Sequence, residues 1–131
     1  MKTALVLMSL MVAVAIGAHA QAEARPLPSS VSTSEAAAMI EGGSELLLLD
    51  VRTRGEFEQG HLPGAMHIPI NEIPRRIDEL RPYRDRPILV YCRTDNRSSM
   101  ARRYLVSQGY SVSFVRGGVV SWSRDRRPLL R

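Results

Sequence analysis

The chain's one cysteine, Cys92, stands where the apolar run Pro87-Ile88-Leu89-Val90-Tyr91 gives way to Arg93-Thr94-Asp95-Asn96-Arg97-Ser98 and then to a helical pattern. That order predicts a strand, a short loop rich in polar and cationic groups, and a helix N-terminus. The backbone N–H groups of such a loop, with those of the helix's first turn, point toward the sulfur, an environment that favours a thiolate and binds anions. A thiol in this position reads as a nucleophile.

The start of the chain says where the thiol works. Lys2 precedes an apolar or small stretch from Ala4 to Gly17, and Ala18-His19-Ala20 has the small-x-small form of a signal-peptidase site. The expectation is a signal peptide over residues 1–20, cut after Ala20, and a periplasmic or secreted address. The competing reading, a membrane anchor, needs roughly 20 apolar residues, more than the stretch supplies. A lipid anchor needs a cysteine at the cleavage site, and there is none. About 110 residues remain after the cut, enough for one domain with one core.

Across the whole chain 18 Lys+Arg face 13 Asp+Glu, a net charge of +5, and Lys2 is the single lysine. The arginines are interspersed with Asp and Glu rather than gathered on one face with aromatics, so a nucleic-acid partner is not expected; weak attraction of small anions is. Composition leaves three readings of a lone cysteine in an oxidising compartment: a buried inert thiol, an intermolecular link, or a reactive group.

The elements that must position Cys92 follow from local pattern. Residues 21–30 form a Pro, Ser and Ala-rich flexible leader, and order begins near Val31. Ser32-Thr33-Ser34-Glu35 has capping-box spacing and opens an Ala-rich helix that stops at Gly42-Gly43. Leu46 to Val51 is a buried strand, and Thr53-Arg54-Gly55-Glu56 is a second capping box whose helix ends at Gly60. Ala65 to Pro69 reads as a short strand. Asn71 then caps a helix that presents Ile73, Ile77 and Leu80 on one face. Beyond the Cys92 loop, Met100, Ala101, Tyr104 and Leu105 form the apolar stripe of a helix ending at Gly109. Val112 to Val115 is the last strand, and Gly117-Gly118 turns into a closing helix from Val119 to Trp122. Strands alternating with helices imply an open parallel α/β sheet covered on both faces, with ligands bound beyond the carboxyl ends of the strands.

Asp50-Val51-Arg52, Glu56-Phe57, Gly60-His61-Leu62-Pro63-Gly64-Ala65, Ile68-Pro69, Tyr91-Cys92-Arg93-Thr94-Asp95-Asn96-Arg97-Ser98 and Gly117-Gly118 with Trp122 together resemble a single-domain rhodanese. The resemblance runs from about Val31 to Trp122, which places the rhodanese-like domain at residues 31–131. It implies a five-stranded parallel sheet flanked by helices and a six-residue loop that opens on the nucleophile Cys92 and closes on Arg97. The related phosphatase branch has a loop one residue longer. The implied activity is that of a thiosulfate sulfurtransferase: Cys92 takes sulfane sulfur as a persulfide and passes it to cyanide or a thiol. Loop N–H groups from Arg93 onward stabilise the charged sulfur, and Arg97 offers a planar fork to an oxyanion, with Arg93 as a second candidate. Arg93, Thr94, Asp95, Asn96, Arg97 and Ser98 are therefore the substrate-binding expectation, and this chemistry requires no cofactor and no metal.

Related loops often carry Gly where this chain has Asp95. Turned outward, that carboxylate is harmless; turned inward, it opposes thiosulfate binding. Asp50, Arg52 and Glu56 read as structural support for the loop, since buried charges must be paired. His61 and His67 belong to turns and receive no catalytic role, Trp122 reads as core, and Arg124 to Arg127 read as a solvated end. Nothing in the pattern demands more than a monomer. The alternatives to a sulfurtransferase are a non-enzymatic binding or regulatory module of the same fold, a thiol redox enzyme, which would want a Cys-x-x-Cys pair, and a Cys-dependent phosphatase.

Overall fold

The computed structural model describes residues 26–43 and 45–131, so the signal-peptide expectation for residues 1–20 lies outside the described residues. Five parallel strands form one sheet in the order β1-β5-β4-β2-β3, with β1 Ser30–Val31, β2 Leu47–Asp50, β3 Met66–His67, β4 Ile88–Tyr91 and β5 Val112–Val115. Four α-helices accompany it: α1 Thr33–Glu41, α2 Arg54–Gln59, α3 Asn96–Ser107 and α4 Gly118–Arg124. Both capping boxes form. Ser32 Oγ accepts from Glu35 N and Thr53 Oγ1 from Glu56 N, and each Glu reaches back to its cap N–H, an arrangement worth about 1 kcal/mol per cap.

Side-chain alternation along the strands divides the core into two layers. Leu47, Leu49, Ile88, Val90 and Cys92 face one way and pack with Ile73, Leu80, Ala101 and Leu105; Leu48, Leu89 and Tyr91 face the other way and pack with Ala36, Leu62 and Trp122. The sulfur of Cys92 thus sits on the α3 side, while Trp122 belongs to the core of the opposite layer.

Three local expectations change. The helix expected after Asn71 is replaced by two 3-10 turns, Ile70–Glu72 and Ile77–Tyr83, the first preceded by Pro69 rather than capped by Asn71. Pro74 and Pro82 bring no N–H to an α-helical ladder, and the short i to i−3 bonds of Glu72 N to Pro69 O and Glu79 N to Arg76 O take its place. Ile73 and Leu80 still reach the core. Met100 leaves the apolar stripe of α3 and is 53% exposed, because Ser98, Ala101 and Leu105 occupy the buried face instead. The end of the expected leader is tied down: Ser30 belongs to edge strand β1, Phe114 N donates to Ser29 O, and Ser113 Oγ donates to Pro28 O.

The turn after β5 shapes what lies beyond β4. Gly117 and Gly118 take φ of 74° and 48°, and the N–H groups of Val119 and Val120 donate to the carbonyls of Cys92 and Arg93 at 3.0 and 3.1 Å. A Cβ on Gly118 would overlap the Cys92 carbonyl oxygen and stand 2.7 Å from that of Arg93. Gly118→Ala is therefore expected to cost more than about 2 kcal/mol, the left-handed strain plus a backbone clash. Gly64→Ala, at φ 82° with open space around it, should cost only the strain, about 1 kcal/mol. Urea midpoints at unchanged m-value compare the two; equal losses would contradict the clamp.

Candidate active site

Parallel pairing builds the site. Asp50 at the end of β2 lies level with Tyr91 at the end of β4, so the chain leaving β2 toward α2 and the chain leaving β4 toward α3 emerge side by side. From this pair the connections diverge: β2 leads to β3 at one edge, and β4 leads to β5 on the other side. The gap between β2 and β4 is the topological switch point, where open parallel sheets place ligands.

Cys92 follows β4 directly and is 1% exposed. Its thiol donates to Ser98 Oγ at 3.3 Å, and Ser98 Oγ donates in turn to the carbonyl of Asp95 at 3.1 Å. Ser98 is fully buried beneath the loop, beside the sulfur rather than at the surface where a substrate would arrive. Arg93, Thr94, Asp95 and Asn96 are exposed and Arg97 is partly buried. Among the described residues, the N–H groups of Arg93, Thr94 and Asp95 donate to no acceptor within the chain. Successive backbone N–H groups without an internal partner are donors that can meet an anion.

Asp95 has a definite place. Its carboxylate accepts the N–H of Gly117 at 2.8 Å, and its carbonyl accepts from Ser99 N at 2.9 Å. The charge is turned toward the β5–α4 turn, where it fastens the loop from the side.

The loop closes through Arg97. Its two Nη atoms donate to the two carboxylate oxygens of Glu56 at 2.6 and 2.9 Å. The fork expected to meet an oxyanion is thus engaged by a carboxylate of α2. The hydrogen bond from Arg97, joined by those from the Thr53 cap, outweighs burial and holds the Glu56 carboxyl down to about 2; the same pair raises Arg97. Glu56 is therefore both the reciprocal cap of α2 and the anchor of the Cys92 loop, two tasks that one capping-box position can serve because α2 starts where β2 ends.

Asp50 and Arg52 support this from below. Arg52 Nε and Nη2 donate to Asp50 at 3.0 and 2.7 Å, and Nη2 also donates to the Gly60 carbonyl at 2.6 Å, which ties the end of α2 to the end of β2. Burial works against the Arg52 charge, and Asp50 more than offsets it. Neighbouring Tyr91 accepts the N–H of Leu62 through its hydroxyl, and burial first, then Asp50, pushes its pKa well above the ordinary range. His67 Nε2 donates to the Arg52 carbonyl at 2.7 Å and Phe57 stacks against both His61 and His67, which packs the two histidines into the turn structure.

Sequence reading missed two contributors. Gly118 and the N–H groups of Val119 and Val120 hold the loop carbonyls, a role for which the Gly-Gly pair after a strand was the available signal. The C-terminal segment was the other. Leu130 forms an antiparallel bridge with His61, and Trp122 Nε1 donates to Pro128 O at 2.9 Å, so the chain beyond Arg127 is bonded to the domain, while Arg124 to Arg126 are exposed as expected. Beside the loop this leaves an open cleft of ≈ 450 Å³, with Arg93, Glu56, Val119, Val120 and Leu129 among its walls. A smaller cavity of ≈ 150 Å³ among Ala37, Ile40 and Trp122 belongs to the layer away from the sulfur.

The domain that carries this loop has counterparts among known proteins. The rhodanese-like domain matches residues 32–125. A sulfurtransferase of Allochromatium vinosum is 34% identical over 103 residues, which span 78% of this chain and 94% of the relative. A rhodanese-related protein from Thermoplasma volcanium superposes with a TM-score of 0.71 at 28% identity, covering 79% of this chain and 98% of that structure. A thiosulfate sulfurtransferase from Pseudomonas aeruginosa superposes with a TM-score of 0.71 at 26% identity over 78% of this chain and 20% of that larger one. The family match and a relative aligned across most of the sequence agree with the sheet: this chain belongs to the rhodanese-like domain family.

Proposed function

We propose that this protein is a sulfurtransferase that moves sulfane sulfur from thiosulfate, or a donor of the same kind, through a persulfide on Cys92 to a thiol, or to cyanide in an assay. The observation that carries the reading is the Cys92 loop itself: a buried thiol followed by three residues whose N–H groups have no acceptor among the described residues, in a loop clamped by α4 on one side and by Glu56 on the other. The Cys92 thiolate attacks the outer sulfur of thiosulfate, a Cys–S–S bond forms, and sulfite leaves with the electron pair of the broken bond. Ser98, which accepts from the thiol, can rotate its hydroxyl to donate to the thiolate. Preset N–H groups meet the charge on the bound anion with little reorganisation. Arg97, held by Glu56, keeps the loop's shape. Relatives and structural neighbours that are sulfurtransferases support the same assignment.

We place the mature protein outside the cytoplasm, on the pattern from Lys2 to Ala20.

Mass spectrometry of the protein after incubation with thiosulfate should show the gain of one sulfur atom, removed by cyanide with release of thiocyanate and absent in Cys92→Ser. An unmodified wild-type protein that yields no thiocyanate would refute the assignment. Because the Glu56 carboxyl is depressed to about 2 from 4.5, its pairing stabilises the fold fully above about pH 4.5 and is lost as pH falls through about 2. Glu56→Gln should therefore be less stable than wild type by about 1 kcal/mol at neutral pH, the scale of a partly exposed pair, and the gap in denaturation midpoint should close between pH 4.5 and 2. A pH-independent gap would assign the loss to packing. N-terminal sequencing of protein made with the whole chain in a Gram-negative host should begin at Gln21; a chain that keeps residues 1–20 overturns the export reading.

A further inference from the structure

The cavity of ≈ 150 Å³ in the layer away from Cys92 joins an apolar wall to a cation without a counter-charge. α1 contributes Ala37 and Ile40 to it, the turn after α2 contributes Leu62 and Pro63, and α4 contributes Trp122. The chain leaves α4 through Arg126, whose φ of 56° is left-handed, and Arg127 N then donates to the Trp122 carbonyl at 3.2 Å. That reversal sets the Arg127 side chain against the cavity, with its guanidinium carbon 5.5 Å from the centroid of the Trp122 ring. Among the described residues Arg127 forms no ion pair; Nη2 has one long bond, 3.4 Å to Ser34 Oγ, and Nε is buried with no acceptor. A buried donor left in this state is an exception among folded proteins. The neighbouring carboxylates do not answer it: Asp125 accepts the Thr33 hydroxyl, and Glu41 is exposed at the cavity mouth.

We propose that this cavity is a binding site for small monocarboxylates with a compact apolar body, the carboxylate on Arg127 and the body against Ile40, Leu62 and Trp122. Volume limits the body, because an apolar cavity of about 150 Å³ takes a molecule the size of benzene. Charge selects the head group. A carboxylate on the Nε–Nη2 edge of Arg127 satisfies both donors with two parallel bonds, at the loss of the long bond to Ser34 and with a small rotation of the guanidinium on the indole. Glu41 at the mouth is a solvated charge that an entering acid passes under the screening of salt. The site uses no sulfur chemistry and does not depend on the role of Cys92.

Trp122 is the chain's one tryptophan, so its fluorescence reads the cavity directly. Titration of the protein with cyclohexanecarboxylate should change the emission saturably, while acetate, which has the charge but no body, should not at equal concentration. Cyclohexanecarboxamide, which has the body but no charge, should bind roughly two- to fivefold more weakly than the acid, the range of a partly exposed ion pair. That preference should shrink as ionic strength rises, and Arg127→Gln should bring acid and amide to one affinity. Excess thiosulfate should not displace the acid, since Cys92 faces the other layer. If Arg127→Gln fails to fold, the comparison of acid with amide in wild type and its dependence on salt decide the matter. No saturable change, equal affinity of acid and amide in wild type, a preference indifferent to salt or surviving Arg127→Gln, or displacement by thiosulfate overturns the proposal.

Discussion

Parallel pairing of β2 with β4, in the register that sets Asp50 beside Tyr91, is the constraint from which the site follows. Two chains that leave neighbouring strands at the same level must place their next residues within reach of each other. One carries Glu56 in the first turn of α2 and the other carries Cys92 through Arg97 into α3. The Arg97–Glu56 pair closes over residues 41 positions apart in sequence because the sheet has already brought them together. The buried Asp50–Arg52 pair secures the same junction from inside; separating such partners costs roughly 3–5 kcal/mol, since either would be left as a buried, uncompensated charge.

The loop is fastened on several sides, yet among the described residues nothing accepts from the N–H groups of Arg93, Thr94 and Asp95. α4 takes its first two carbonyls, Gly117 takes the Asp95 carboxylate, Ser98 sits under the sulfur, and Glu56 holds the far end. The Cys92, Arg93 and Asp95 carbonyls and the Asp95, Arg97 and Ser98 side chains are bonded within the domain, while the N–H groups of Arg93, Thr94 and Asp95 donate to no acceptor among the described residues. N–H groups fixed in advance need little rearrangement when they meet negative charge.

Much of this was legible in the chain. Ser32 and Thr53 each stand three residues before a Glu, and both helices start there, because a capping box is a local pattern closed by its own side chains. Ile88 to Tyr91 is a strand and Asn96 opens a helix as the apolar runs require. Local pattern was weaker between Asn71 and Tyr83, where Pro74 and Pro82 turn an apparent helical face into 3-10 turns that bury the same Ile73 and Leu80. It was weaker again at Met100 and at Pro28 to Ser30, where exposure depends on which neighbour the fold supplies: Met100 is left exposed among the described residues, and β5 offers an edge to β1.

What the sequence determined by itself is therefore the set of local structures and the place of the thiol: caps, strands, glycine turns, and a lone cysteine between a strand and a helix N-terminus. These rest on forces acting within a few residues. The tertiary structure alone decided the partners. It gave the Arg97 fork to Glu56, turned Asp95 toward Gly117, placed α4's N–H groups on the Cys92 and Arg93 carbonyls, and brought Leu130 back to His61. Each of those outcomes joins residues distant in sequence. A charged side chain's role is set by which opposite charge or amide the packed sheet carries to it, and that is a property of topology rather than of spacing along the chain.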